Sequence, residues 1–243
     1  MARTVFLGNA RTRLPFKGVA ALYRAFYEGI SGESRNPLFY VSSSPWNLYD
    51  LLSDFFHLQD IPIGPVLFLR DWGLTATEIL PLDNRDYKTK ICRQILDDFP
   101  SLQFILVGDS SQQDPEIYSE LVKFYPERIL AVYIRNVSKD LERPEAIRKL
   151  AEEVLDAGST LILADDTLPM ARHAIEQGWI RAAAFPEIKA EKKADEAPPG
   201  TLEKALKGDE EAPTLVLKGE KSEDGDQKAE LQPPADNLID SGE

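Results

Sequence analysis

From Phe16 onward the apolar positions switch repeatedly between two spacings. Val19, Leu22, Tyr23, Phe26 and Tyr27 recur every three to four residues, which predicts a helix over 16–28. LFYVS at 38–42 is a short continuous apolar run and predicts a strand. Leu48, Leu51, Leu52, Phe55 and Phe56 return to helical spacing over 46–57, and PVLFLR at 65–70 predicts the next strand. The alternation continues with a helix over 88–99, a strand at 104–107, a helix over 115–125, a strand at 129–134, a helix over 142–157, a strand at 160–164 and a helix over 168–177. The runs FILV, ILAVYI and LILA lack the in-out alternation of a half-exposed strand, so both faces are expected to be covered. Strands separated by about 10–15 residues of helical pattern form βαβ units. The sequence therefore predicts an α/β fold over residues 1–185, a doubly wound and mainly parallel sheet.

Composition changes this picture at one end. Residues 187–243 carry 16 Asp/Glu against 8 Lys/Arg, which is −8 of the chain's −13, and they contain no Phe, Trp or Tyr. Pro198-Pro199, Pro213 and Pro233-Pro234 interrupt them. Such a stretch buries too little apolar surface to offset the entropy of ordering, so 186–243 is expected to be a disordered acidic tail. The acidic balance also excludes a nucleic-acid partner, which needs clustered Lys and Arg. A single cysteine, Cys92, excludes a disulfide framework. No stretch approaches the ~18 apolar residues of a transmembrane segment, and the amino terminus lacks the pattern of a signal peptide. The expected location is cytoplasmic.

Ligands of parallel α/β folds gather at the carboxyl ends of the strands, and the polar clusters of this sequence fall there. Ser42-Ser43-Ser44, Arg70-Asp71, Asp109-Ser110 and Asp165-Asp166 each follow a predicted strand. Asp109, after Gly108, reads equally as a carboxylate reaching a metal ion and as an ordinary turn residue. Asp114-Pro115-Glu116 is a good helix start, with Asp114 as N-cap, though a capping carboxylate retains a second oxygen for a metal. Ser42 is placed to meet phosphate, since Ser44-Pro45 already serves as a cap. Lys88 opens its predicted helix, where a cation is disfavoured by the dipole. His57 and His173 read as helix residues rather than a catalytic pair. LILADDT at 161–167 ends in adjacent acids, whose side chains diverge, so it is not read as a nucleophile strand.

The order strand-serine, lysine, strand-GD-x-x-x-x-D resembles motifs II, III and IV of the haloacid dehalogenase superfamily. The segments FYVSSSPWNLYDLLSDFF, GPVLFLRDWG, YKTKICRQILDDFP and FILVGDSSQQDPEIYSELVKFYPERILAVYIRNV together resemble the App1-type phosphatidate phosphatase catalytic domain over most of residues 10–185. The resemblance implies a haloacid dehalogenase-like (Rossmannoid) fold and Mg²⁺-dependent hydrolysis of phosphatidate to diacylglycerol and phosphate, with peripheral contact at a membrane surface. By the same resemblance Ser42 holds the phosphoryl group, with Ser43 beside it, Lys88 stabilises its charge, and Asp109 and Asp114 hold Mg²⁺. Trp46, Trp72 and Tyr87 are candidates for membrane contact.

One departure limits the expectation. The superfamily's nucleophile and general acid/base come from D-x-D-x-T, which occurs nowhere in this sequence, and the first acid of any kind is Glu28. A start assigned downstream of the true one is the expected explanation. The alternatives are a non-catalytic phosphate- or lipid-binding pseudoenzyme and a strand supplied by a partner chain. Fold alone does not fix the substrate, so another phosphomonoester is a further alternative.

Overall fold

The computed structural model describes residues 15–45, 49–64, 66–70 and 84–196, with the side chains at 43–45, 66–70 and 84 outside that description. Helices and strands alternate in the order α1 (Val19–Glu28), β1 (Phe39–Pro45), α2 (Tyr49–Leu58), β2 (Val66–Arg70), α3 (Asn84–Asp98), β3 (Phe104–Asp109), α4 (Asp114–Phe124), β4 (Ile129–Arg135), α5 (Arg143–Asp156), β5 (Leu161–Ala164), α6 (Thr167–Glu176) and α7 (Ala184–Glu196).

All described strand pairs are parallel. The single sheet expected from the sequence is two sheets among the described residues, β1-β2 and β3-β4-β5. In the second, Asp109 stands beside Arg135 and Arg135 beside Ala164, so the carboxyl ends of the three strands form one row. β4 is the centre of this sheet and explains why ILAVYI is apolar at every position. Ala131 and Tyr133 point into a core with α1, α6 and α7. Val132 and Ile134 point the other way, into a core with α3, α4 and α5. Helices thus cover both faces. Full burial of Val132 or Ile134 contributes about 1.5–3 kcal/mol each.

Two expectations are corrected here. The boundary drawn at 185/186 cuts through α7, and residues 186–196 are helical rather than disordered; residues 197–243 lie outside the described residues. The physical reason is that α7 is tied to α1 by apolar and charged contacts. Ile188 is fully buried. The acids that read as a solvated tail serve the amino terminus of α1: Asp195 accepts from the Gly18 N–H at 2.7 Å and Glu191 from the Ala21 N–H at 2.7 Å. These are the orphan donors of a helix start, where negative charge is also favoured by the dipole. Glu191 pairs in addition with Arg24 at 2.5 Å. The second correction concerns α3, which begins at Asn84, so Lys88 lies one turn inside the helix instead of opening it.

Candidate active site at the strand ends

Ser42, Lys88, Asp109 and Asp114 come from β1, α3, β3 and α4 and line one cavity of about 890 Å³. Its walls are largely apolar, with Leu22, Phe26, Phe39 and Leu96 among them. Ser42 lies within β1 rather than at its end, because the strand continues to Pro45. The side chain of Ser43 lies outside the described residues, as do those of Arg70 and Asp71 and the candidates Trp46 and Trp72. Tyr87 is half-buried in α3.

Asp114 is the hub of the polar end. Its Oδ1 takes the Lys88 ammonium at 2.5 Å and its Oδ2 accepts from the Asp109 N–H at 3.1 Å. The pair is dry, with the Lys88 side chain 12 % exposed and that of Asp114 5 %. Asp114 does not cap α4 as the sequence suggested. The N-cap is Gln113, Asp114 is the first helical residue, and its carboxylate turns back toward β3 and α3. The turn back needs Gly108: a Cβ there would sit 2.5 Å from Asp114 Oδ2 and 2.6 Å from Asp114 Cβ. Gly108 is therefore required for space within the strand.

Asp109 closes a local turn, with Oδ1 accepting from the Ser111 N–H at 2.8 Å and from its hydroxyl at 2.5 Å. The turn reading of Asp109 is what these bonds show, and the residue also lines the cavity. Among the described residues no group of three or more His, Cys, Asp or Glu side chains is placed to hold a metal ion. Mg²⁺ asks for only one or two carboxylates, completing its shell with water and phosphate. Asp109 is a carboxylate of that kind at the cavity, while Asp114, paired with Lys88, holds the Asp109 backbone N–H.

Two residues without a motif hold the loop after β3. Ser110, buried at 2 % exposure, accepts from the Val137 and Ser138 N–H groups at 2.8 and 2.9 Å, which ties the end of β3 to the end of β4. Arg143 donates to the carbonyls of Ser110 at 3.1 Å and Gln112 at 2.8 Å, and pairs with Glu116 through both carboxylate oxygens. The Arg143 hydrogen bond holds the Glu116 carboxyl below the usual glutamate range, and Glu116 raises Arg143 in turn. A depressed carboxyl adds stability above its unfolded pKa and loses it as pH falls through the folded one. Denaturation titrated with acid should show that loss below the ordinary glutamate range, and Arg143→Met should remove it; an unchanged acid slope would detach the pair from stability. The sequence signal for Arg143 was weak, an arginine at a helix start.

Other candidates resolve plainly. Burial pushes the Cys92 thiol up to about 12, so it is a neutral core group. Tyr23, at the cavity wall, is raised to about 12 by burial and by the Asp114 carboxylate. His57 is exposed on α2, whereas His173 shares a 2.8 Å hydrogen bond with the Tyr133 hydroxyl. Asp166 is the N-cap of α6, accepting from the Leu168 N–H.

The fold and the site define a parallel α/β domain with a polar-ended cavity at its strand ends. The chain belongs to the family described as phosphatidate phosphatase APP1, catalytic domain, which it matches over residues 1–136. It is 31 % identical over 141 residues to phosphatidate phosphatase APP1 of Saccharomyces cerevisiae, covering 58 % of this chain and 23 % of the yeast protein. It is 34 % identical over 102 residues to an uncharacterized protein of Schizosaccharomyces pombe, covering 42 % of this chain and 16 % of that one. The chain thus spans less than a quarter of the length of these relatives. Ser42, Lys88, Asp109 and Asp114 all lie inside the matched region.

Proposed function

We propose that this chain carries the phosphate- and metal-handling part of a Mg²⁺-dependent phosphatidate phosphatase with a haloacid dehalogenase-like fold. The reaction is hydrolysis of the phosphate monoester of phosphatidate, leaving diacylglycerol and phosphate. The observation that carries this reading is the convergence of Ser42, Lys88, Asp109 and Asp114 on one cavity, in a chain of the APP1 catalytic-domain family. Phosphoryl transfer asks a protein mainly for position and charge. Ser42, with Ser43 beside it, donates to the phosphoryl oxygens. Lys88 offsets their charge while Asp114 fixes its ammonium. Asp109 is the carboxylate for Mg²⁺, with Asp114 behind it. The ion, when bound, neutralises and orients the phosphate oxygens.

No D-x-D-x-T occurs in the 243 residues, so none of them is assigned the nucleophile's role. Catalysis in this reading requires a carboxylate from outside them. In this reading contact with the lipid is peripheral; no described helix is long and apolar enough to cross a membrane.

The test is phosphate release from phosphatidate vesicles with and without Mg²⁺. The 243 residues should be inactive, and a chain extended upstream in its genomic frame to include D-x-D-x-T should turn over. An upstream stop with no such motif would leave a non-catalytic phosphate- or lipid-binding domain. Turnover of soluble phosphomonoesters alone would keep the reaction and discard the lipid. In the active form Asp109→Asn should weaken Mg²⁺ binding by at least roughly 10–100-fold, as loss of even an outer partner does. Unchanged Mg²⁺ dependence would remove Asp109 from the metal.

A further inference from the structure

Arg135 is the last residue of β4 and stands in register with Asp109, so the two side chains leave the same face of the sheet. It lines the same cavity as Ser42, Lys88, Asp109 and Asp114. Its Nε and Nη1 are buried and make no hydrogen bond, and no ion pair engages it among the described residues. Buried arginine nitrogens without partners are rare, because a desolvated cation is costly unless paired. Two other arginines have a single buried orphan nitrogen. Arg93 stacks over the Phe124 ring at 4.3 Å, and Arg181 is paired with Glu28. Neither combines two orphaned nitrogens with a place in the cavity.

The acids that face Arg135 are engaged elsewhere. Asp165 accepts from Asn136 Nδ2 at 2.7 Å, and Asp166 caps α6 and pairs with Lys192 at 3.2 Å. Phe16 covers a face of the guanidinium, its ring centroid 5.8 Å from Cζ. What remains without a partner is Nε and Nη1, two in-plane charged donors that suit the oxygens of a phosphate. The contrast with Lys88 is direct. Lys88 is already paired with Asp114, whereas Arg135 has no such pair among the described residues, and burial lowers its pKa against the opposing pull of Asp166 and Asp165.

We infer that Arg135 is a phosphate-binding residue of this cavity, the guanidinium that meets the non-bridging oxygens of a phosphate monoester opposite Ser42 and Lys88. The inference rests on the phosphatase reading above and adds to it a residue that no motif supplied. The ligand chemistry is a phosphate monoester dianion, whether free or as a lipid head group.

Binding is measured with the full chain, by calorimetry against inorganic phosphate and by co-sedimentation with phosphatidylcholine vesicles with and without phosphatidate. Arg135→Gln should weaken phosphate binding roughly 10–100-fold, the loss of a charge-assisted hydrogen bond. Arg135→Lys should restore part of it, keeping charge without the fork. The melting temperature of Arg135→Gln without phosphate should not fall, because the orphaned cation contributes no bond to the fold. Binding of phosphatidate vesicles without binding of phosphate, still lost in Arg135→Gln, supports the lipid head group as the source. Wild-type affinity in Arg135→Gln overturns the inference and leaves the phosphatase reading standing. A lowered melting temperature with unchanged phosphate binding overturns it in favour of a structural role. If the unaltered chain binds neither probe, the reading and the inference fall together.

Discussion

Lys88→Met should destabilise the protein by about 3–5 kcal/mol, seen as a lower urea midpoint with an unchanged slope. The size follows from where the pair lies. Asp114 is almost completely shielded, and Lys88 supplies its compensating charge at 2.5 Å. Removing the ammonium leaves a desolvated carboxylate with one hydrogen bond, from the Asp109 N–H. A surface ion pair would be worth no more than about 1 kcal/mol, so the measurement separates the two cases cleanly. Changing both partners, Lys88→Met with Asp114→Asn, should recover much of the loss, because no unpaired charge remains. A single-variant loss below about 1 kcal/mol would mean that water reaches the pair. Phosphate binding is read in the double variant, where a binding defect is not confounded with unfolding.

Gly108→Ala is the second large effect, with an expected cost of about 1–3 kcal/mol from overpacking. The added methyl group meets Asp114 Cβ at 2.6 Å, and that atom is the root of a side chain at the start of α4, not a flexible tip. β3 cannot move aside freely, since Gly108 is in register with Ile134 on the central strand. Truncating Asp114 to alanine should give no relief, because its Cβ remains. Relief in that double variant would show that the carboxylate alone was in the way. Loss of the Asp109 N–H bond to Asp114 should accompany the clash, visible as faster exchange of the Asp109 amide.

The order of elements was legible because each strand of the second sheet is an uninterrupted apolar run, and burial on both faces produces that run directly. Ser42, Lys88, Asp109 and Asp114 were legible as a set through the order of their motifs. Three things were not. Asp114-Pro115-Glu116 satisfies every local rule for a helix cap, yet a lysine 26 residues away takes the carboxylate, and local pattern carries no information on such a partner. α7 is rich in charge and reads as solvated chain, because the amino-terminal N–H groups it satisfies belong to α1, about 170 residues earlier. Arg135 ends an apolar strand and looks like a boundary marker. Its significance lies in bonds it does not make.

The serine and the acids of the site belong to separate ladders among the described residues: Ser42 to β1-β2, Asp109 to β3-β4-β5. Within a sheet, neighbouring backbones are locked at about 4.8 Å by hydrogen bonds. Between these two sheets the described link at the other end of the strands is a cluster of rings, Phe39 against Phe99 at 5.3 Å and against Phe104 at 6.2 Å. Tilted ring contacts at the amino ends of β1 and β3, with Val41 packed on the same core as Leu106, thus join the two sheets away from the polar groups. Phe39 and Phe104 line the apolar part of the cavity, so a change of ring size at either is a way to retune the opening without altering any polar group in it.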